Sequence, residues 1–265
     1  MRVGRRYAMG TTKPAKAGVA GIVLVGGTGS RLFPATRVVN KHLLPVYDRP
    51  AIAFSMDVMR ECDVDSLVIV CNAADEEIFQ TIPAWLGYSE IDIRTVVQKE
   101  PNGIAGAIAC ARDCLEPEGY ERIVVSLGDA LYVSGSTWSR EILRPADATG
   151  CAAVVAVIEH PDPKDFGIVE STASGRVVRV QEKAEVHESS QVCTGLYSFD
   201  DSVWTRLEAI VPSSRGELEM TSLLESYIHD GGLTSVTVPA EAGWFDMGTP
   251  DRLVDAAVAR RRLLA

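Results

Sequence analysis

Two kinds of apolar pattern divide this chain. In the first half, short and nearly continuous apolar runs recur at 19–25, 66–71, 92–97 and 122–127. Between them, residues 51–62, 75–86 and 103–116 carry apolar side chains at helical spacing. Strands alternating with helices predict an α/β unit whose parallel sheet is covered on both faces. Continuous apolarity fits strands buried on both sides. The second half changes character. Residues 151–158, 167–170, 176–180 and 192–199 read as strands separated by turn residues, with Ser174-Gly175 as a hairpin turn. Helices are expected at 202–210, 217–229 and 252–264, and a further strand at 234–238. This half is expected to form a mixed-sheet lobe that closes over the first.

The first apolar run ends in Gly26-Gly27-Thr28-Gly29-Ser30-Arg31. Glycines after a buried strand let backbone N–H groups approach a phosphate closely. Arg31 and Lys41 add fixed positive charge, and the combination points to a nucleoside triphosphate site. A Walker A loop needs Gly-Lys-Ser/Thr at its end, and Gly29 is followed by Ser30-Arg31-Leu32. A dinucleotide fingerprint needs a third glycine where Leu32 stands. An ordinary strand-to-helix turn is the plain alternative.

The 265 residues are 46% hydrophobic and 23% charged, as in an ordinary globular chain. The formal net charge of −10 argues against a nucleic-acid partner. No apolar stretch reaches the roughly 18 residues of a membrane span, so no membrane partner is expected. None of the six cysteines forms a Cys-x-x-Cys pair, and they read as reduced core residues of a cytoplasmic protein. Residues 1–17 are basic and have no continuous apolar segment. They are expected to be a disordered extension, with Met9 as an internal start, ahead of one domain over 18–265.

Several polar residues stand where ligands collect in α/β sheets, beyond the strands' carboxyl ends. Asp129 follows the run 122–127 and can hold Mg²⁺ on a phosphate or cap a helix. Asp246, in Trp244-Phe245-Asp246-Met247-Gly248, can share that metal or be a buried structural acid. Glu182-Lys183 ends an alternating run. Glu182 can accept sugar hydroxyls and Lys183 can hold a phosphate, or both can be a plain surface pair. Gln98 can read the edge of a base with its amide or serve as a turn residue. Arg215-Gly216-Glu217-Leu218-Glu219 can simply start a helix.

Together these motifs resemble the sugar-1-phosphate nucleotidyltransferases, most closely the branch that makes thymidylyl sugars from glucose 1-phosphate. The loop at 26–32, Asn40-Lys41-His42-Leu43-Leu44-Pro45, Gly128-Asp129, Phe166-Gly167, Glu182-Lys183, Thr194-Gly195-Leu196-Tyr197 and Trp244–Thr249 stand in the family's order across residues 18–258. The resemblance implies a mostly parallel Rossmann-like three-layer sandwich with a sugar-binding mixed-sheet lobe. It implies that Gly26, Gly27, Thr28, Gly29, Ser30 and Arg31 wrap the triphosphate of dTTP or UTP. Gln98 and Gly103 would read the base, and Gly167, Glu182, Lys183 and Thr194 would line the site of the sugar 1-phosphate. Arg31, Lys41, Asp129, Lys183 and Asp246 would be catalytic, with Mg²⁺ on Asp129 and Asp246.

The family's usual Asn after Gly-Asp is Ala130 here, so either a water fills the space or the sugar carries a different group there. An aminosugar or cyclitol phosphate is the alternative substrate, and a catalytically silent nucleotide-sugar-binding regulator the alternative class. Longer bacterial members carry further helices that build a regulatory site and a tetramer. Feedback regulation and tetramerisation are therefore not expected, and a homo-oligomer stays open.

Overall fold

The computed structural model describes residues 16–143, 151–183 and 189–265. Its strands in the first half are β1 (Lys16–Leu24), β2 (Pro45–Val46), β3 (Arg49–Pro50), β4 (Ser66–Cys71), β5 (Asp92–Val97), β6 (Tyr120–Leu127) and β7 (Ala130–Tyr132). Those of the second half are β8 (Ala153–Glu159), β9 (Gly167–Ser171), β10 (Val177–Glu182), β11 (Gln191–Phe199), β12 (Leu233–Thr237) and β13 (Trp244–Asp246). The helices are α1 (Ile52–Glu61), α2 (Glu76–Trp85), α3 (Ile104–Ala109), α4 (Arg112–Leu115), α5 (Val203–Ala209), α6 (Met220–His229) and α7 (Pro250–Leu264).

The expected parallel sheet is present as β6-β1-β4-β5. Alternate residues of its apolar runs serve opposite faces. Ile22, Val68 and Val125 join a core with Ala105, Leu207 and Leu223 from α3, α5 and α6. Val23, Leu67 and Val124 join another with Ile52, Met56 and Phe79 from α1 and α2. Each such side chain, fully buried, contributes about 1.5–3 kcal/mol. That division of one run between two cores makes the three-layer sandwich.

The second half forms no separate sheet. Its strands β8 to β12 extend the same nine-stranded sheet through the antiparallel pair β11–β6. Strand β11 decides the shape. Its far half, Leu196–Phe199, pairs with β6, while Val192 near its start pairs with Ile168 of β9. Two strands thus share one edge of β11 and part company near Gly195. Gly195 has φ +89°, and a Cβ there would meet Leu127 at 3.1 Å and Ala130 at 3.2 Å, so only glycine fits this bend. The opening between the end of β6 and the start of β9 is where the candidate site lies.

Three boundaries differ from the pattern. β1 begins at Lys16, two residues before the expected domain start, and the rest of the expected extension, 1–15, lies outside the described residues. The helix expected over 103–116 is split into α3 and α4, because the N–H groups of Cys110 and Ala111 turn to carbonyls three residues back. α6 starts at Met220 rather than near 217. Leu218 instead docks on the loop before α3, giving its N–H to Asn102 (2.7 Å) and taking that of Ala105 (3.1 Å).

Candidate active site

The glycine loop leaves β1 with left-handed glycines, Gly27 at φ +91° and Gly29 at +58°. Thr36 Oγ1 donates to the Gly29 carbonyl at 2.7 Å and closes the loop. Gly27 is tied on both sides by the Asn72 amide. Its N–H donates to Asn72 Oδ1 (3.2 Å), and its carbonyl accepts from Asn72 Nδ2 (3.1 Å). The Gly27 N–H is therefore engaged and does not face a ligand, contrary to the simplest reading of the loop. The N–H groups of Thr28, Gly29 and Ser30 make no hydrogen bond among the described residues. They are the loop's donors for an anion.

The turn at Asn40–His42 packs beneath Gly128-Asp129. The Lys41 ammonium pairs with the Asp129 carboxylate. His42 is buried beside it, and burial, with the Lys41 charge, lowers its pKa to about 3. The ring stays neutral, and its Nδ1 donates to Asn40 Oδ1 at 2.8 Å. It serves as packing, not as a proton carrier.

Asp129 and Asp246 meet through a ladder too short to show in the sequence. Strand β13 pairs antiparallel with β7, placing Asp246 opposite Ala130, and Met247 N–H donates to the Asp129 carbonyl at 3.1 Å. Burial would raise the Asp129 carboxyl, but Lys41 outweighs it and holds the group at about 2. Asp246 goes the other way. Burial and the charge of Asp129 raise it above the usual carboxylate range, against the pull of Arg252. Its Oδ2 accepts from Arg252 Nη1 at 2.6 Å. Arg31 comes to the same place: a Cβ on Gly248 would stand 2.7 Å from Asp246 Oδ2 and 2.9 Å from Arg31 Nη2. Two hard carboxylates that repel each other, beside an anion-binding loop, fit a small divalent cation. Among the described residues no cluster of three or more His, Cys, Asp or Glu side chains stands ready for a metal.

Two adjoining clefts share this floor. The larger, about 310 Å³, is lined by Gly26, Gly27, Lys41, Gln98, Gly103 and Asp129, among others. Gln98 gives its Nε2 to Asn102 Oδ1 (3.0 Å) and to the Gly103 carbonyl (3.2 Å). That commitment turns its Oε1 toward Gly26. The smaller cleft, about 200 Å³, is lined by Arg31, Asp129, Gly167, Glu182, Lys183 and Asp246, with others. Glu182 and Lys183 border both. Lys183 has a left-handed backbone, φ +45°, at a cost on the order of 1–3 kcal/mol for a non-glycine residue. Its N–H donates to the Phe166 carbonyl at 3.0 Å, which locks the end of β10 onto the start of β9.

Two expectations need correction. Thr194 is 2% exposed and lines neither cleft. Its hydroxyl donates to the Ala156 carbonyl and accepts from Tyr132 Oη, both at 3.0 Å. The adjacent Cys193 lines the smaller cleft, because successive strand residues face opposite ways. Ala130 is 4% exposed, packs on the Gly195 bend and lines neither cleft. The altered-sugar expectation loses its direct route.

The structure also adds residues. Arg215, read above as a helix start, pairs with Glu219 at 2.9 Å and stands 4.0 Å from Glu182 on the rim of the larger cleft. Arg252 spans Asp246 and Asp165 (3.3 Å) with its guanidinium over the Phe166 ring. Nothing in the helical pattern of 252–264 separates Arg252 from the basic residues after it. Despite the net charge of −10, the site gathers Arg31, Lys41, Lys183, Arg215 and Arg252.

Among the described residues, no helix is long and apolar enough to cross a membrane. The glucose-1-phosphate thymidylyltransferase of Neisseria meningitidis serogroup A is 32% identical over 237 residues, covering 89% of this chain and 81% of that protein. That of Xanthomonas campestris pv. campestris is 34% identical over 238 residues, covering 89% and 79%. A crystal structure of a provisionally assigned glucose-1-phosphate thymidylyltransferase from Bacillus anthracis, with a sucrose, superposes with a TM-score of 0.79 at 31% identity, over 92% of this chain and 95% of that one. The model of the nucleotidyl transferase family matches residues 20–262. With the glycine loop, the paired carboxylates and this match over nearly its whole length, the chain belongs to the nucleotidyl transferase family and is a nucleotidyltransferase enzyme.

Proposed function

We propose that the enzyme transfers a nucleotidyl group from dTTP or UTP to a sugar 1-phosphate, glucose 1-phosphate first, and releases pyrophosphate. The observation that carries this is the convergence of Asp129, Asp246, Arg31, Lys41 and Lys183 on a floor shared by two clefts. The names of the two bacterial relatives support the choice of glucose and of a thymidylyl donor.

In this reading the triphosphate lies along Thr28–Arg31, with Arg31 and Lys41 on its charged oxygens. The free Oε1 of Gln98 suits the ring N–H of thymine or uracil. Lys183 holds the sugar phosphate, whose oxygen attacks the α-phosphorus. A new P–O bond forms on that face as the bond to pyrophosphate breaks opposite, so no side-chain nucleophile is needed. The chain supplies positioning and fixed charge. Mg²⁺, held by Asp129 and Asp246, would neutralise charge on the phosphate oxygens. Gly167 and Glu182 border the sugar.

A pyrophosphate-release assay over a panel of sugar 1-phosphates and all common triphosphates tests the reading. Highest kcat/KM with dTTP or UTP and glucose 1-phosphate is expected. Preference for a purine triphosphate would overturn the base assignment. Preference for an aminosugar or cyclitol phosphate would overturn the sugar, and no turnover with any pair would favour a silent binder.

A further inference from the structure

Asp75 stands at the N-terminus of α2, where an aspartate ordinarily caps its own helix. Its side chain makes no such bond. Instead Oδ2 accepts from Asn40 Nδ2 at 2.8 Å and from Asn72 Nδ2 at 3.2 Å. Both amides are thereby oriented, nitrogen toward Asp75 and oxygen away. Asn72 Oδ1 is left to receive the Gly27 N–H, while its Nδ2 also reaches the Gly27 carbonyl. Asn40 Nδ2 also donates to the Val25 carbonyl at 3.1 Å, and its Oδ1 receives the His42 N–H at 2.9 Å. Lys41 sits between those two anchored residues. Asn40 and Asn72 therefore meet on one carboxylate oxygen, and their amides tie residues 25–27 to it.

We propose that Asp75 is a positioning residue for the nucleotide, holding the glycine loop and the Lys41 turn in one register through the amides of Asn72 and Asn40. It acts through Gly27 and Lys41, which line the larger cleft, and it depends on the nucleotide reading of that cleft. Hydrogen bonds to an ionised acceptor are stronger than neutral ones, so one carboxylate can fix two amides. Without it, either amide can turn over and offer its NH₂ group where an N–H donor waits.

The test compares wild type, Asp75→Ala and Asp75→Asn by calorimetric titration with dTTP and by steady-state kinetics. Asp75→Ala should raise both Kd and KM for dTTP about tenfold, the scale of losing charge-assisted hydrogen bonds. KM for the sugar 1-phosphate should not move. Asp75→Asn keeps an oxygen that can accept from the amides but loses the charge, and its dTTP affinity should fall between those of wild type and Asp75→Ala. Unchanged dTTP affinity in Asp75→Ala overturns the proposal. So does a parallel rise in both KM values with a lowered melting temperature, the mark of a merely structural role. Wild type that binds no pyrimidine triphosphate would overturn the nucleotide reading as well, which separates the two failures. Should Asp75→Ala not fold, Asn72→Ala cuts the tie to Gly27 and leaves the bond between Asp75 and Asn40 in place. It should show the same nucleotide-specific loss, and unchanged dTTP affinity there would equally overturn the proposal.

Discussion

The two ends of the site are built in different ways. At the proposed nucleotide end, the loop and the Lys41 turn are held by amides and by buried Asn40 and His42, behind the parallel half of the sheet. At the proposed sugar end, Lys183 is about half exposed, with a side-chain exposure of 54%, on the antiparallel half. Its pair with Glu182 is of the kind that contributes about 0–1 kcal/mol. A buried amide network has one low-energy arrangement, because a turned amide leaves polar groups unpaired. Half-exposed ion pairs can rearrange at little cost. The contrast suggests a rigid end for the proposed triphosphate and an adjustable end for the proposed sugar phosphate.

The floor between the ends should give the largest effect. Asp129→Asn and Asp246→Asn are each expected to lower kcat about 10²-fold or more with the fold intact. Steady-state kinetics at saturating Mg²⁺, with circular dichroism as a control, checks this. Near wild-type turnover in either variant removes that carboxylate from the floor.

Gly248→Ala comes next. The added methyl would crowd both Asp246 and Arg31, whose flexible tips can swing away at little cost to stability. A loss approaching about 10²-fold in kcat is expected from such misplacement, with an unchanged melting temperature. A fall in melting temperature with normal kcat would mean that the close approach serves packing.

The two lysines divide the ends directly. Lys41→Ala should act on the nucleotide KM and on kcat, and Lys183→Ala mainly on the KM of the sugar 1-phosphate. Shifts of about tenfold are the scale of losing one charged hydrogen bond. Equal effects of both variants on both substrates would erase the distinction between the ends.

The smallest effect is one of pH. Asp129 is held at about 2 and stays ionised through the working range. Asp246 is raised, so it protonates first as pH falls and should set the acid limb of kcat/KM. Arg252→Ala removes a cation that favours the ionised form, so the limb should move to higher pH. A limb that stays in place, or moves down, would assign it to another group. The sign carries over to stability. The depressed Asp129 favours folding above the ordinary carboxylate range, and that contribution is lost as pH falls toward 2. The raised Asp246 opposes folding once ionised, and this cost is relieved on acidification.

Much of the parallel half was legible because its strands are buried on both faces, and burial writes itself as continuous apolarity. β4 and β5 lie on their predicted residues, 66–71 and 92–97. The junction of the two halves was not legible. The residues of β11 mark only a strand of the second half, and its pairing with both β6 and β9 shows that one sheet runs through. Strands β7 and β13, three residues each, are too short to carry any period. Thr194 misled for a related reason. The resemblance implied sugar contact, yet where a side chain points depends on which strand stands opposite.

The order of the motifs by itself determined the family and the residues worth testing. Glycines after a buried strand, and charges at strand ends, are local requirements of phosphate chemistry and remain visible in one dimension. Only the tertiary structure decided which of them meet. The β7–β13 ladder joins Asp129 to Asp246 across more than a hundred residues of chain, and the split edge of β11 opens the cleft beside them. Asp75 reaches away from its own helix to two distant amides. Such contacts follow from backbone pairing between remote segments, and the hydrogen-bonding groups of the backbone are the same in every residue but proline.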